Sequence, residues 1–253
     1  MASYPDNLLY YLKSMQGYSR NNVKILPLTQ TAGVRQGDTM QFRLPTNSLI
    51  DLSTWTLHGH RKLTYPTGAS GHLAMFGKDT ASMVRGLQIQ IGGQTIQNLD
   101  AYNVVWQALK DQTMSPAAEK CLGYLEGAYV NLKGGAGVND IKVQKAQDSE
   151  KAPFIIRNWL GFFQASPSIL DTALTGEIVV TIAFDPDRRN WAAGNASAAQ
   201  CGFELEELYS TVDLISIQDG VYEMVARQAL ESGMMLEIPV PSYYKFESNN
   251  NNQ

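Results

Sequence analysis

Apolar side chains at Ile178, Val180, Ile182 and Phe184, with Val179, Thr181 and Ala183 between them, give the plainest alternation in the chain. A period of two places those four on one face of a sheet, and the β-branched content suits a strand. Gly176 ahead and Asp185-Pro186 behind set its ends. Upstream, FIIRNWLGFFQ (Phe154 to Gln164) is dense in aromatic and β-branched residues and predicts a second strand, joined to the first through SPSILDT with its Pro167 and Asp171. Two strands with heavy apolar faces need a second sheet to cover them, so the pattern predicts an all-β, antiparallel β-sandwich with few short helices.

The rest of the chain repeats the signal. VKILPL carries Pro27, which confines it to an edge or a bulge. In DTMQFRLP, Met40, Phe42 and Leu44 alternate with Thr39, Gln41 and Arg43. LIDLSTWTLHGHRKL has Ile50 and Leu52 in one phase and Trp55 and Leu57 in the other; the slip at Ser53-Thr54 predicts a bulge or bend. LQIQIGGQTIQNL reads as a hairpin whose Gly92-Gly93 supplies the positive φ of a tight two-residue turn. DAYNVVWQALKD changes to helical spacing through Tyr102, Val105, Trp106 and Leu109, behind Asp100 as N-cap. After the polar loops 131–152 and 185–200, FELEELYSTVDLISI alternates Phe203 and Leu205 with Glu204 and Glu206. GVYEMVARQALES then predicts a second helix, and MMLEIPVP the start of a further strand.

Composition narrows the class. The 253 residues are 44% hydrophobic, enough for a sizeable core, but only 17% charged, below the roughly 25% usual for soluble domains. Large areas are therefore expected to be covered by partners. A net charge of −4 gives no electrostatic reason to wrap nucleic acid. Cys121 and Cys201 are too few for a disulfide framework and are expected to stay reduced. No run of about 20 apolar residues predicts a membrane span, and MASYPDNLLYYLKSMQ lacks the pattern of a signal peptide, so synthesis in the cytosol is expected and the Asn195-Ala-Ser197 sequon counts for little.

Candidate chemistry is thin. His58-Gly-His60 could offer two imidazoles to one metal from alternate strand positions, but the acidic ligand such a site would want is missing nearby, since the first Glu is Glu119. GGAG within 131–151 lacks the Gly-Lys-Ser/Thr of a phosphate cradle. Asp185 and Asp187 could touch a cation, and Glu206-Glu207 sits in a plain charged stretch. No Cys-His or Ser-His-Asp spacing suggests nucleophilic catalysis. The expectation is no enzyme, no cofactor and no metal. The remaining candidate is an N-terminal arm, residues 1–22, whose Leu8, Leu9, Tyr11 and Leu12 could dock on a neighbouring subunit or a membrane surface; deleting residues 1–20 is expected to spare the fold and abolish assembly.

VRQGDTMQFRLPTNSLIDLSTWTL, LQIQIGGQTIQNLDAYNVVWQALKD, SILDTALTGEIVVTIAFDP and LYSTVDLISIQDGVYEMVARQALESGMMLEIPVPSYYKF, in this order, resemble major capsid proteins of the double jelly-roll lineage of icosahedral DNA viruses. The resemblance covers about Val34 to Phe246. It implies a viral jelly roll paired with a second such roll in one polypeptide, and three subunits per pseudo-hexameric capsomer. It further implies contact with neighbouring capsomers, penton or minor proteins and often an internal membrane, residence in the virion, and no active site. The expected division is an arm at 1–22, a first roll at 23–200 with a helical insertion near 100–112, and at 201–253 the start of a second roll or a C-terminal extension. Tyr102 and Tyr222, 120 residues apart, share a strand–turn–helix context with Tyr-x-x-Val spacing, which suggests an internal duplication and a chain that ends inside the second roll. Two other readings stay open. A carbohydrate-binding jelly roll would use Trp55, Trp159 or Trp191, the first two expected in the core; a single jelly-roll capsid of an RNA virus would want a more basic arm.

Overall fold

Alternation carries over directly into strands. The computed structural model describes residues 18–29, 33–64, 73–76, 80–113, 115, 144–145, 151–187, 192–194, 202–217 and 238–244. In chain order these contain β1 (Tyr18–Ile25), β2 (Val34–Arg35), β3 (Thr39–Arg43), β4 (Leu49–Thr64), β5 (Leu73–Phe76), β6 (Val84–Ile91), β7 (Gln94–Leu99) and helix α1 (Tyr102–Thr113). There follow β8 (Gln144–Lys145), β9 (Ala152–Ile156), β10 (Ile169–Asp171), β11 (Ile178–Phe184), β12 (Ala192–Gly194) and β13 (Gly202–Ile217).

One sheet runs β1-β13-β4-β10, with β2 added on β13 and β9 on β4; the second runs β3-β11-β6-β7; a small third runs β12-β5-β8. The pairings are nested and antiparallel: β1 with β13, β3 with β11, β4 with β9 and β10, β6 with β7. Successive strands of this long hairpin alternate between the two main sheets, so the hairpin is rolled on itself. That is the jelly-roll topology, an antiparallel sandwich with few helices.

The core fills the space between the sheets. β11 buries Ile178, Val180, Ile182 and Phe184 in strict alternation, as its sequence demands. Facing them, β4 contributes Ile50, Leu52, Trp55 and Leu57, all at most 1% exposed. Trp55 stacks on Phe163 with ring centroids 4.4 Å apart, meets Trp159 at 4.9 Å, and touches Phe42 of the opposite sheet edge-on at 6.1 Å. One indole thus ties together both sheets and the turn before β10.

The phase slip in β4 is a bulge. Thr211 of β13 pairs with Thr56 and Asp213 with Asp51, so Val212 alone stands opposite residues 52–55. Asp51 holds the extra residues: its Oδ1 accepts from Ser53 N at 3.1 Å and Ser53 Oγ at 2.6 Å, while Thr54 Oγ1 donates to the Asp51 carbonyl. The glycine hairpin also forms, with Gly92 at φ 56° and Gly93 at φ 82°. Helix α1 starts at Tyr102, but Asp100 is not its N-cap: Asp100 pairs with Arg85, Ala101 precedes the first turn at φ 55°, and the Asn103 side chain accepts from Val104 N. Pro27 lies just past β1, which is an edge strand.

Three further expectations need correction. FIIRNWLGFFQ is a strand only up to Ile156; Asn158 at φ 57° and Gly161 at φ 78° break it, and Leu160, Phe162 and Phe163 enter the core from the turn Gly161–Gln164. The boundary at residue 22 cuts through β1, which begins at Tyr18; deletion of residues 1–20 would therefore remove Arg20, an ion-pair partner of the sheet. The boundary at residue 200 separates β13 from its own sheet. β13 pairs with β1 on one side and β4 on the other, so residues 202–217 belong to the same roll as residues 18–184. The helix expected over GVYEMVARQALES lies outside the described residues. Beyond it, Ile238, Val240 and Tyr243 pack against the roll, and Tyr243 Oη donates to Gln164 Oε1 at 2.8 Å.

Candidate functional site

With the apolar residues turned inward, three surfaces are left to act on other molecules. The first is the outer face of the six-stranded sheet. Arg20 of β1 reaches Asp51 of β4 at 2.5 Å and Asp213 of β13 at 2.6 Å, and Asn22 Nδ2 donates to the same Asp213 at 2.6 Å. Further along, Lys24 Nζ sits 4.0 Å from the Tyr209 ring centroid, and Tyr209 stacks on His58 at 4.8 Å and 5°. His58 Nε2 lies 3.0 Å from Thr211 Oγ1. At the end of the row Lys151 pairs with Glu206 and, at 3.7 Å, with Glu207, which is 3.3 Å from His60 Nδ1. The Lys151 bond holds the Glu206 carboxyl below its usual range and raises the Lys151 ammonium. This face is charged but internally paired.

His58 and His60 project from the same strand face, as the motif implies, yet each is engaged by its own cross-strand neighbours. No group of three His, Cys, Asp or Glu able to hold a metal occurs among the described residues. Burial first and Lys24 second hold the His58 pKa below its ordinary value of 6.5. The folded state therefore favours the neutral ring, and its contribution to stability is complete above pH 6.5 and fades as pH falls through the folded pKa. The thermal midpoint is expected to drop a few degrees at most on acidification, because solvent screens the site, and His58→Gln should flatten that part of the pH dependence. A pH profile unchanged by the substitution would contradict this.

The second surface is the outer face of the four-stranded sheet, where two cross-strand pairs form: Gln41 Nε2 donates to Thr181 Oγ1 at 3.3 Å and Gln88 Nε2 to Thr95 Oγ1 at 3.1 Å. Charge is confined to its ends, in the pairs Arg43–Glu177 and Arg85–Asp100. This flat amide and hydroxyl face accounts for part of the low charge content. A third surface is a groove of mixed lining at the corner where β1 passes toward β2, in which the exposed Leu26 stands near Lys24 and Glu207.

Of the other residues singled out, Trp55 and Trp159 are core side chains, each 1% exposed. Asp185 is buried and accepts from Asn103 Nδ2 at 2.6 Å and Asp187 N at 2.8 Å, which makes it a loop anchor. Leu8, Leu9, Tyr11, Leu12, His72, Cys121, the GGAG run, Trp191 and Cys201 lie outside the described residues. The Arg20–Asp51–Asp213 and Lys24–Tyr209–His58 rows escape sequence reading. Their only local trace is the polar alternation of Arg20, Asn22 and Lys24.

No protein-family model matches the sequence, and no curated protein matches it. Solved structures do. The Faustovirus major capsid protein matches with a TM-score of 0.56 at 9% identity, over 83% of this chain and 56% of that one. VP54 of PBCV-1, fitted into a reconstruction of the virophage Sputnik, matches with 0.51 at 16% identity, over 83% and 45%. A chain of the Sputnik virophage matches with 0.51 at 10% identity, over 81% and 49%. The chain thus has the jelly-roll fold found in these viral proteins, and it spans about half the length of the chains it matches.

Proposed function

We propose that this chain is a structural subunit of a viral capsid, a major capsid protein that self-assembles as trimeric, pseudo-hexameric capsomers in an icosahedral shell. The observation that carries the reading is the nested two-sheet roll, matched over 83% of the chain by a major capsid protein. The surfaces support it. Both sheets present outer faces on which several charged and amide groups are paired within the chain, and such pairs can be covered by neighbours at little cost in stranded charge. Partners on this reading are further copies of the chain, other shell components and, beneath the shell, a membrane; residence is in the virion after synthesis in the host cytosol.

A carbohydrate-binding role finds less support in the geometry. Trp55 and Trp159 are packed inside, and the ring faces of Tyr209 are taken up by Lys24 and His58. Oligomeric state tests the proposal. Obligate interfaces bury upward of about 2,000 Å², and light scattering at micromolar concentration is expected to give three times the subunit mass. A monomer at every concentration tried would remove the trimer.

A further inference from the structure

β13 is lined unevenly along one flank. β2 pairs with it at Glu204 and Leu205, and β1 takes over from Ser210 to Ile217. Residues 206–209 between them have no strand on that side among the described residues. Here the pairing with β4 also shifts register, and Glu207 adopts φ 53°. The gap opens as a groove of about 590 Å³ whose mixed lining sets Leu26, Pro27 and Leu208 beside Lys24, Glu207 and Tyr209. Leu26 in that lining is 53% exposed, and Leu28, two residues on, is 48% exposed. Next to it, the flank of β1 that faces away from β13 is a free sheet edge of eight residues among the described elements. A bare edge beside a groove with leucines in its lining is a site for strand addition, in which main-chain bonds and alternate side chains are both satisfied.

We infer that the groove seats the chain's own N-terminal segment, residues 8–12, folded back along the free edge of β1. The segment is continuous with that edge: Tyr18 opens β1, and Gln16-Gly17 immediately before it can make a tight turn. Reach agrees. With Gln16-Gly17 as a two-residue turn Met15 faces Tyr18, and counting back along the returning strand brings Leu9 and Leu8 opposite Lys24 and Ile25, level with the near end of the groove, while Leu12 lies alongside Asn21. Leu8, Leu9, Tyr11 and Leu12 then supply apolar side chains on both faces, some over the groove and the others outward. Residues 8–12 themselves carry no charged side chain.

This inference does not rest on the capsid reading, because it concerns the isolated subunit. In the full chain with Cys121→Ser and Cys201→Ser, Leu8→Cys is combined with Leu26→Cys and oxidised at low concentration before any assembly. The expected product is an intramolecular disulfide that runs at the subunit size on a non-reducing gel and retards on reduction. A dimer-sized product would assign the groove to the arm of a second copy and overturn the own-chain seat. A Leu8→Cys thiol that stays free and is alkylated as fast as an unstructured one would overturn it too. Hydrogen exchange gives a reading free of cysteine chemistry. Leu8→Asp with Leu12→Asp is expected to speed exchange of residues 23–26 and 207–209 roughly tenfold, with the β13–β4 ladder unchanged. Equal exchange at those amides in the parent and the variant would contradict the seat, whatever the protein assembles into.

Discussion

Trp55→Ala is expected to cost about 3–5 kcal/mol and lower the thermal midpoint by roughly 6–20 °C, a large fraction of the stability of any single domain. The indole is 1% exposed and lies between Phe163 of the β10 turn, Trp159, and Phe42 on the facing sheet. Truncation removes the transfer free energy and leaves a void that three rings cannot close, because two of them are fixed by the broken-strand turn. Trp55→Phe should recover most of the loss, since the stacking partner remains. Differential scanning calorimetry on the two variants checks this, and equal midpoints for Trp55→Ala and the parent would show that the two sheets are not tied together there.

Val180→Asp is expected to abolish folding. Val180 is fully buried in β11, between Phe42 of β3 and Ile89 of β6, inside the apolar cluster. An unpaired carboxylate in such a place costs several kcal/mol or drives its own protonation, and β11 is paired on both sides. One residue on, Thr181 points to the outer face, where it accepts from Gln41. Thr181→Asp should change stability by no more than about 1 kcal/mol. Far-UV circular dichroism and soluble yield separate the pair; comparable behaviour of the two variants would mean that the alternation does not divide core from surface.

That alternation is the part of the fold most legible in the sequence. β3, β11 and the β6–β7 hairpin bury one face and expose the other, so period two, Gly92-Gly93 and the flanking breakers specify them. The bulge in β4 was legible too, because shifting the pleat by one residue moves Trp55 to the wrong face unless extra residues are inserted. β1 was harder to read. Its opening, YSRNN, is polar because Arg20 and Asn22 serve ion pairs with Asp51 and Asp213, partners 31 and 191 residues away. No local pattern reports a contact of that kind. β13 reads as a strand, but the long loop before it and its run of glutamates give it the look of a new unit, and only its pairing with β1 and β4 shows that it belongs to the roll. In FIIRNWLGFFQ the aromatic density was real while its geometry was not visible: Asn158 and Gly161 turn the chain, and the rings reach the core from a turn. The outer-face network, likewise, is assembled from four strands and has no spacing of its own.

Whether these paired outer faces are there to meet neighbours is decided most directly by negative-stain electron microscopy of the purified protein at micromolar concentration. The account predicts discrete particles with three-fold symmetry and a hexagonal outline, or shells and flat arrays built from them. A uniform field of single compact subunits, with no such particles at any concentration, would contradict it.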